Sequence, residues 1–588
     1  MELRMMSARY GRFCRIIAVA CTLLGGSYLA RAQEPSKSPA QNVAKPAAAP
    51  QGASRQTITL LSTTDIHGHI EPIDYFSNKP SNFSLAKIAT LVKAQRAEAP
   101  KALLLDCGDT TQGTPLAYYF AVRDPKPKNP TIAAFNEMHY DAMAVGNHEF
   151  NFGLAEMWKA KRESNFPWLA ANLKEIYTAG DGFIRPYIIK NVGGVRIAIV
   201  GFITPGVPRW EIPEHYRGYE FEPIVEAAQR VIPEVHKQAD LVVVIMHSGL
   251  DRDPSSGKIF EGQEFRSENA AWELAEQVPG IDLIFYGHTH LEMPELTVNG
   301  VLMAQAKNWG GSLARADIVM ERDEAGAWRV ASKHSRVIKT TDSVAADPAI
   351  LKIAAPYEAA TEKYLDTPIA TSEKAMNGER ARYEDDPLVD LIQRVQLEAG
   401  HADVSMATMF FPGVQIPKGP VTVRQAAALY IYDNSLYTVE MTGAQLKDAL
   451  EHAASFYTSW PVAAGAELKL PGYNADSAEG VSYEIDLRKP VGERVQNLTF
   501  RGKPLDFSQK LRVAINNYRY TGGGGYSVYK GLPILEQPGL EIRDLLIDYL
   551  TRTGKIPSDL DANWKIVPAE AVTAMEKQAR DEIVDRTR

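Results

Sequence analysis

The sequence predicts an α/β protein, and three observations predict it. Five short apolar runs each lead into a residue able to bind a metal. Turn residues bound these runs, and helical segments alternate with them. The runs are Thr57–Thr64 into Asp65-Ile66-His67, Ala102–Leu105 into Asp106-Cys107-Gly108-Asp109, and Ala142–Val145 into Gly146-Asn147-His148-Glu149. Two more follow, Leu241–Met246 into His247 and Ile281–Tyr286 into Gly287-His288-Thr289-His290. Apolar runs of this length read as buried strands. The helical segments are Ser84–Ala97, Thr131–Met138 and Pro223–Lys237, and such alternation is an α/β pattern. Residues at the carboxyl ends of neighbouring strands gather in one crevice, which is where open α/β sheets bind ligands.

The order Asp-x-His, Gly-Asp, Gly-Asn-His-Glu, His, Gly-His-x-His resembles the calcineurin-like metallophosphoesterases at each of their five blocks. That resemblance implies a sandwich of two mixed sheets flanked by helices, followed by a C-terminal α/β nucleotide-recognition domain. It also implies two divalent metal ions. Asp65, His67, Asp109 and His290 would hold one, and Asp109 would bridge to a second completed by Asn147, His247 and His288. Two dications and two aspartates leave a net charge of about +2, suited to a phosphate ester and its transition state. Such ions lower the pKa of water and stabilise phosphoryl oxygens. In the family the residue at His148 reaches the phosphate or the leaving group. His148, with Asn147 beside it, is therefore the catalytic candidate.

Mixed imidazole, carboxylate and amide ligands fit Mn, Zn, Fe or Co. The absence of thiolate argues against a structural cysteine-type zinc site. Cys107 reads as a small buried strand residue, and His139, His236 and His401 as structural or solvent-exposed. Asn151 stands where 5′-nucleotidases usually carry the Asp that orients the catalytic His. An amide can hydrogen-bond an imidazole but cannot stabilise an imidazolium as a carboxylate does. The Asn form resembles the 2′,3′-cyclic-nucleotide 2′-phosphodiesterase/3′-nucleotidase branch.

At 588 residues the chain requires more than one domain. Its net charge of −8 argues against a nucleic-acid polymer as partner. The N-terminus reads as an export signal over residues 1–32, with Arg4, Arg9, Arg12 and Arg15, an apolar Ile16–Leu29, and Ala30-Arg31-Ala32 before Gln33. The apolar stretch is short for a membrane span, and Gly25-Gly26 interrupts it. Cys21 lacks the preceding Leu that a lipobox prefers. Cleavage would leave Cys107 alone, with no internal disulfide and no stable membrane association. A Gram-negative periplasm follows as the expected location.

Residues 33–56, rich in Pro, Ala, Ser and Gln, read as a flexible leader. A first domain runs over 57–340. Asp347-Pro348 opens an inter-domain helix to about Leu365, within 341–366. A second domain covers 367–568, with helices at Pro387–Ala399, Arg424–Tyr430 and Gly443–Ser455 and strands at Leu436–Met441, Val481–Leu487 and Leu511–Ile515. Residues 569–588 form a charged, Ala-rich tail, read as helical.

The same branch is resembled by Gln112-Gly113-Thr114-Pro115-Leu116, by Leu429-Tyr430-Ile431-Tyr432-Asp433-Asn434-Ser435-Leu436, and by Asn516-Asn517-Tyr518-Arg519 ahead of Gly522–Gly525. The resemblance implies that Tyr432 and Tyr518 sandwich a nucleobase, at about 1–3 kcal/mol per stacked face. Asn434, Gly523 and Gly524 are the further substrate-binding candidates, the glycines by letting backbone N–H groups approach a sugar or phosphate. Two departures weaken a 5′-nucleotidase reading. Gly524 replaces the ribose-binding Asp of that group, and Met406–Gln415 replaces its Asn-Gly-Gly-x-Arg segment.

The expected function is exported hydrolysis of 2′,3′-cyclic nucleotides and 3′-nucleotides to nucleoside and phosphate. The partners are thus small-molecule nucleotides. A 5′-nucleotidase or nucleotide-sugar hydrolase is the alternative on the same scaffold. A nucleotide-binding or adhesion protein with vestigial metals is the alternative of another class.

Overall fold

The computed structural model describes residues 55–176, 184–260, 267–432, 434–461 and 472–574. The export signal, nearly all of the leader, and residues 575–588 of the tail lie outside these residues. One boundary moves. The first strand starts at Arg55, and Arg55 and Gln56 already pair with Glu321 and Met320. Residues 569–574 are helical.

Two six-stranded mixed sheets build the first half. One orders the strands Trp328–Lys339, Ser312–Arg322, Arg55–Thr63, Leu103–Asp106, Ala142–Ala144 and Trp168–Leu169. The other orders Met293–Val298, Val301–Gln305, Leu283–Tyr286, Leu241–His247, Val195–Ile203 and Tyr187–Val192. All five strands read from the sequence are present, three in the first sheet and two in the second.

These strands carry apolar residues on both faces, and the core explains why. Leu60, Leu105 and Ala144 from one sheet meet Ile199, Val243, Ile245 and Phe285 from the other in a fully buried layer. The opposite faces pack under helices. Leu61, Leu104 and Met143 sit beneath Leu85–Glu98 and Pro130–Met138, while Val242, Val244 and Ile284 sit beneath Ile224–His236. Burial of both faces removes the polar alternation of a half-exposed strand. Helix starts follow capping chemistry. Ser84 accepts from the Lys87 N–H, and Asn129 accepts from those of Thr131 and Ile132.

The helix Pro348–Leu365 begins with Asp347 accepting from the Ala349 and Ile350 N–H groups. It packs against the first half through Tyr75, whose hydroxyl donates to Glu358. Arg424 ties the two halves together, donating to the Tyr75 carbonyl at 2.6 Å and to Glu362 at 2.7 Å.

The second half has a five-stranded sheet in the order Ser477–Glu479, Val404–Ala407, Lys510–Asn516, Leu436–Thr442 and Ile534–Glu536. A four-stranded sheet adds Lys503–Pro504, Val495–Phe500, Val481–Asp486 and Trp564–Val567. The helix Pro387–Ala399 has the bounds read from its sequence, while the segment read as Arg424–Tyr430 is helical over Val423–Ala428. No helix among the described residues is long and apolar enough to cross a membrane.

Candidate metal centre and active site

The strand ends of both sheets converge. Asp65 follows Arg55–Thr63, Asp109 follows Leu103–Asp106, and Asn147 follows Ala142–Ala144. His247 closes its own strand, and His288 and His290 follow Leu283–Tyr286. Two ligand clusters result, Asp65 with His67 and His290, and Asp109 with His247 and His288. Asp65 and His247 are fully buried, and His67, Asp109 and Asn147 nearly so.

One oxygen reaches toward both clusters. Asp109 Oδ2 lies 2.8 Å from His247 Nε2 and 3.8 Å from His67 Nε2. His67 Nε2 and His290 Nε2 are 3.1 Å apart, and His290 Nε2 is 3.4 Å from Asp65 Oδ1.

Backbone carbonyls set the imidazoles. His67 Nδ1 donates to the Gln112 carbonyl at 2.9 Å, and His247 Nδ1 to the Cys107 carbonyl at 2.8 Å. Each ring therefore turns its Nε2 inward, the usual arrangement around a metal ligand. His288 is reversed, with Nε2 3.4 Å from Glu268 Oε1 and Nδ1 3.3 Å from His247 Nε2.

These residues fit divalent cations. Asn147 Oδ1 is buried without a hydrogen-bond partner, an unmet acceptor that a cation satisfies. The Nε2 atoms of His67 and His247 both face the Asp109 carboxylate, at 3.8 and 2.8 Å. The backbone is bent to the same end. Asp65, His67, Asp109, His288 and His290 all have left-handed φ, between 49° and 74°. Non-glycine residues seldom adopt this conformation, and it gathers at functional sites. Gly146 permits the close approach, since a Cβ there would lie 2.2 Å from Asp109 Oδ1.

Electrostatics follow from burial and proximity. Burial disfavours the Asp109 carboxylate, but His247 and His148 outweigh it and hold its pKa well below the usual range. Burial drives His67 down to about 3, so it stays neutral near pH 7. His247 also suffers burial, yet Asp109 overcomes this and lifts it to about 9. Burial pushes the Cys107 thiol up, in keeping with a small buried strand residue.

His148 is one-third exposed at the cluster's edge, its Nε2 3.8 Å from Asp109 Oδ2. Its backbone N–H donates to Asp109 Oδ1 at 2.9 Å. Its Nδ1 lies 2.5 Å from Asn151 Oδ1. Asn151 therefore does contact the imidazole at the position of the family's usual aspartate.

Sequence reasoning missed three contributors. Glu149 accepts from the N–H groups of Gly146, Asp109, Thr110 and Thr111 at 2.7–3.1 Å, and so fixes two of the ligand loops together. It stands inside the Gly-Asn-His-Glu block, which was the available signal. Trp210 and Glu211 sit in a segment with no motif. The Trp210 ring is tilted against His288 with centroids 5.5 Å apart, and Glu211 accepts from Asn151 Nδ2 at 2.5 Å.

In the second half, Tyr432 and Tyr518 are 42% and 37% exposed, so neither ring is consumed by the core. Phe410 meets Tyr432 edge-on at 5.0 Å. Asn517, next to Tyr518, donates to the Trp210 carbonyl at 3.4 Å, which brings that loop to the metal-ligand half. The side chain of Asn434 donates to the Tyr430 hydroxyl at 3.3 Å, so it shapes the loop. The glycines pack closely. A Cβ on Gly523 would lie 2.5 Å from the Tyr518 ring, and one on Gly524 would lie 2.1 Å from Asn474 Oδ1 and 2.6 Å from Arg519 Nη1. A cavity of about 950 Å³ opens between the halves, lined by His69, Phe83, Trp309, Arg382 and Phe411 among others. Trp309 stacks on His69 and stands edge-on to His290.

Residues 58–292 match the calcineurin-like phosphoesterase family, and residues 368–531 match the 5′-nucleotidase C-terminal domain. Fold and site thus define a metallophosphoesterase, a metal-dependent phosphoric ester hydrolase. A Yersinia enterocolitica 2′,3′-cyclic-nucleotide 2′-phosphodiesterase/3′-nucleotidase is 31% identical over 589 residues, covering 87% of this chain and 88% of that protein. The trifunctional nucleotide phosphoesterase YfkN of Bacillus subtilis is 29% identical across 87% of this chain, which spans only 39% of that longer protein. A crystal structure from Staphylococcus aureus, provisionally assigned as a 5′-nucleotidase, superposes with a TM-score of 0.74 at 28% identity, covering 87% of this chain and all of that one. The chain belongs to the 2′,3′-cyclic-nucleotide 2′-phosphodiesterase/3′-nucleotidase family.

Proposed function

We propose that this protein is an exported enzyme that hydrolyses 2′,3′-cyclic nucleotides to 3′-nucleotides and then to nucleoside and phosphate. The observation that carries this reading is the position of Asp109 Oδ2 between two ligand clusters, with His148 Nε2 3.8 Å away. Asp65, His67, Asp109, Asn147, His247, His288 and His290 would hold two divalent ions, which supply a low-pKa water and charge neutralisation at the phosphate. His148 Nε2 faces the space where the phosphoryl group would lie and delivers to the departing ribose oxygen a proton that it first takes up there, while Nδ1 keeps its own. Opening the cyclic diester forms a bond from a water oxygen to phosphorus and breaks the bond from phosphorus to O2′, which receives the proton. The second step breaks the bond to O3′ in the same way.

Tyr432 and Tyr518 offer ring faces to the base, which tolerates many bases because each has a π-face. The reading divides the chain into a metal-binding domain over 55–340, a connecting helix over 341–366 and a nucleotide-recognition domain over 367–568. Gly524 favours the 3′-nucleotidase over the 5′-nucleotidase alternative. With φ at 73° and no space for a Cβ, this position does not accept the aspartate that binds ribose in the latter group. The test is a rate profile over 2′,3′-cAMP, 3′-AMP, 5′-AMP and a nucleotide sugar on protein of defined metal content. Fastest turnover of the first two is expected, and a strong preference for 5′-AMP rejects the reading.

A further inference from the structure

We propose that Glu211 is a positioning residue that selects the tautomer of His148 through the side-chain amide of Asn151. The inference rests on the role given to His148 above. His148 Nδ1 lies 2.5 Å from Asn151 Oδ1, Asn151 Nδ2 lies 2.5 Å from Glu211 Oε1, and the other Glu211 oxygen, Oε2, lies 2.7 Å from His215 Nδ1. The four side chains are linked end to end by these contacts.

The chemistry of the line fixes its direction. An asparagine amide can be turned either way, because its oxygen and nitrogen are similar in size. A carboxylate oxygen accepts, so Glu211 takes the Nδ2 donor of Asn151. The Asn151 oxygen must then face His148. An oxygen accepts, so His148 carries its proton at Nδ1 and leaves Nε2 to face Asp109 and the substrate space. Without Glu211 the amide is free to turn. Its NH₂ would then face His148 Nδ1, and the ring could not keep a proton at Nδ1 while Nε2 takes up and delivers another.

Glu211 itself is held. Its side chain is only 9% exposed, and His215, one turn further along, accounts for its second oxygen. It follows the short helix Val207–Trp210, in which Trp210 packs on His288. An aspartate at position 151 would orient the imidazole without help. An asparagine there needs a carboxylate behind it, and Glu211 is that carboxylate.

The test is a rescue. Glu211→Gln keeps the shape but adds a donor, so the amide of Asn151 can turn; kcat is expected to fall about tenfold or more with KM within about twofold. Asn151→Asp alone sets two carboxylates against each other and is expected to lose activity. Asn151→Asp combined with Glu211→Gln restores an acceptor toward His148 and a donor behind it. The double variant is expected within about threefold of the starting kcat and above both single variants. A double variant no better than Glu211→Gln, or wild-type kcat in Glu211→Gln, overturns the proposal. Nitrogen-15 NMR of histidine-labelled protein gives a second readout that needs no activity and no variant. The Nδ1–H form is expected for His148 in the unaltered chain, and the Nε2–H form overturns the proposal. Wild-type protein with no phosphoesterase activity would reject the proposed function but leave the NMR result standing.

Discussion

The indole of Trp210 is tilted against the imidazole of His288, with ring centroids 5.5 Å apart. The Trp210 carbonyl also accepts from Asn517, which precedes Tyr518 in the second half. One residue thus touches a metal-ligand candidate and the loop that carries a base-stacking candidate. Trp210→Ala should weaken nucleotides and disturb the metal site together. Raised KM for 3′-AMP with a weaker apparent metal affinity is the expected pair, read by kinetics at varied Mn and by metal titration. An unchanged metal affinity contradicts the shared role.

His148→Ala should reduce kcat by about 10²–10⁴ while KM changes little, because its contribution is confined to the transition state. Steady-state kinetics on 2′,3′-cAMP and 3′-AMP check this. A loss confined to KM assigns His148 to substrate binding instead.

Tyr432→Ala and Tyr518→Ala should each weaken nucleotides by about 1–3 kcal/mol in kcat/KM. Turnover of p-nitrophenyl phosphate, which has no base, should hardly change. Equal losses on both substrates reject a base sandwich.

Stability should fall as pH rises from about 5 to 8, and Glu358 should supply part of the fall. Burial, helped by the neighbouring Glu71 and Glu362, outweighs the hydrogen bond from Tyr75 and lifts its folded pKa to about 8, above the ordinary 4.5. Between those values the folded chain keeps a proton that the unfolded chain has released, so raising the pH favours unfolding. Glu358→Gln removes this term and should stabilise the protein at pH 8 by about 4 kcal/mol. Asp390, Glu479 and Glu541 are also raised to about 8, so the slope is reduced rather than abolished. Urea midpoints across this pH range give the measurement.

Gly524→Asp should fail to confer 5′-nucleotidase activity and should destabilise the fold. The added Cβ meets Asn474 Oδ1 at 2.1 Å, on a backbone with φ at 73°. A folded variant with higher 5′-AMP turnover contradicts this.

The strands leading into the site were legible because each ends in a candidate ligand and each is apolar on both faces. The buried strand Val195–Ile203 is just as apolar, but it ends in no candidate ligand and so carries no motif. The long hairpin Ser312–Arg322 with Trp328–Lys339 is mixed in polarity, since its outer strand is largely exposed. The helix Pro387–Ala399 was readable from Asp386 and Pro387, a cap and a first-turn residue. Glu211 was invisible because its partner Asn151 is 60 residues away and the pair makes no periodic pattern. The glycine loop was legible as glycine but not as packing, since only coordinates show Tyr518 lying against Gly523.

Five of the seven proposed ligands hold their backbones in the left-handed region. Each such residue costs on the order of 1–3 kcal/mol. Chelation would remove the attraction that offsets those bends, and the loops behind the ligands would relax first. The empty protein should therefore exchange amide hydrogens faster at residues 65–69 and 287–290 than in the strands feeding them. Metal supply would then govern how rigid the catalytic rim is, as well as whether it turns over substrate.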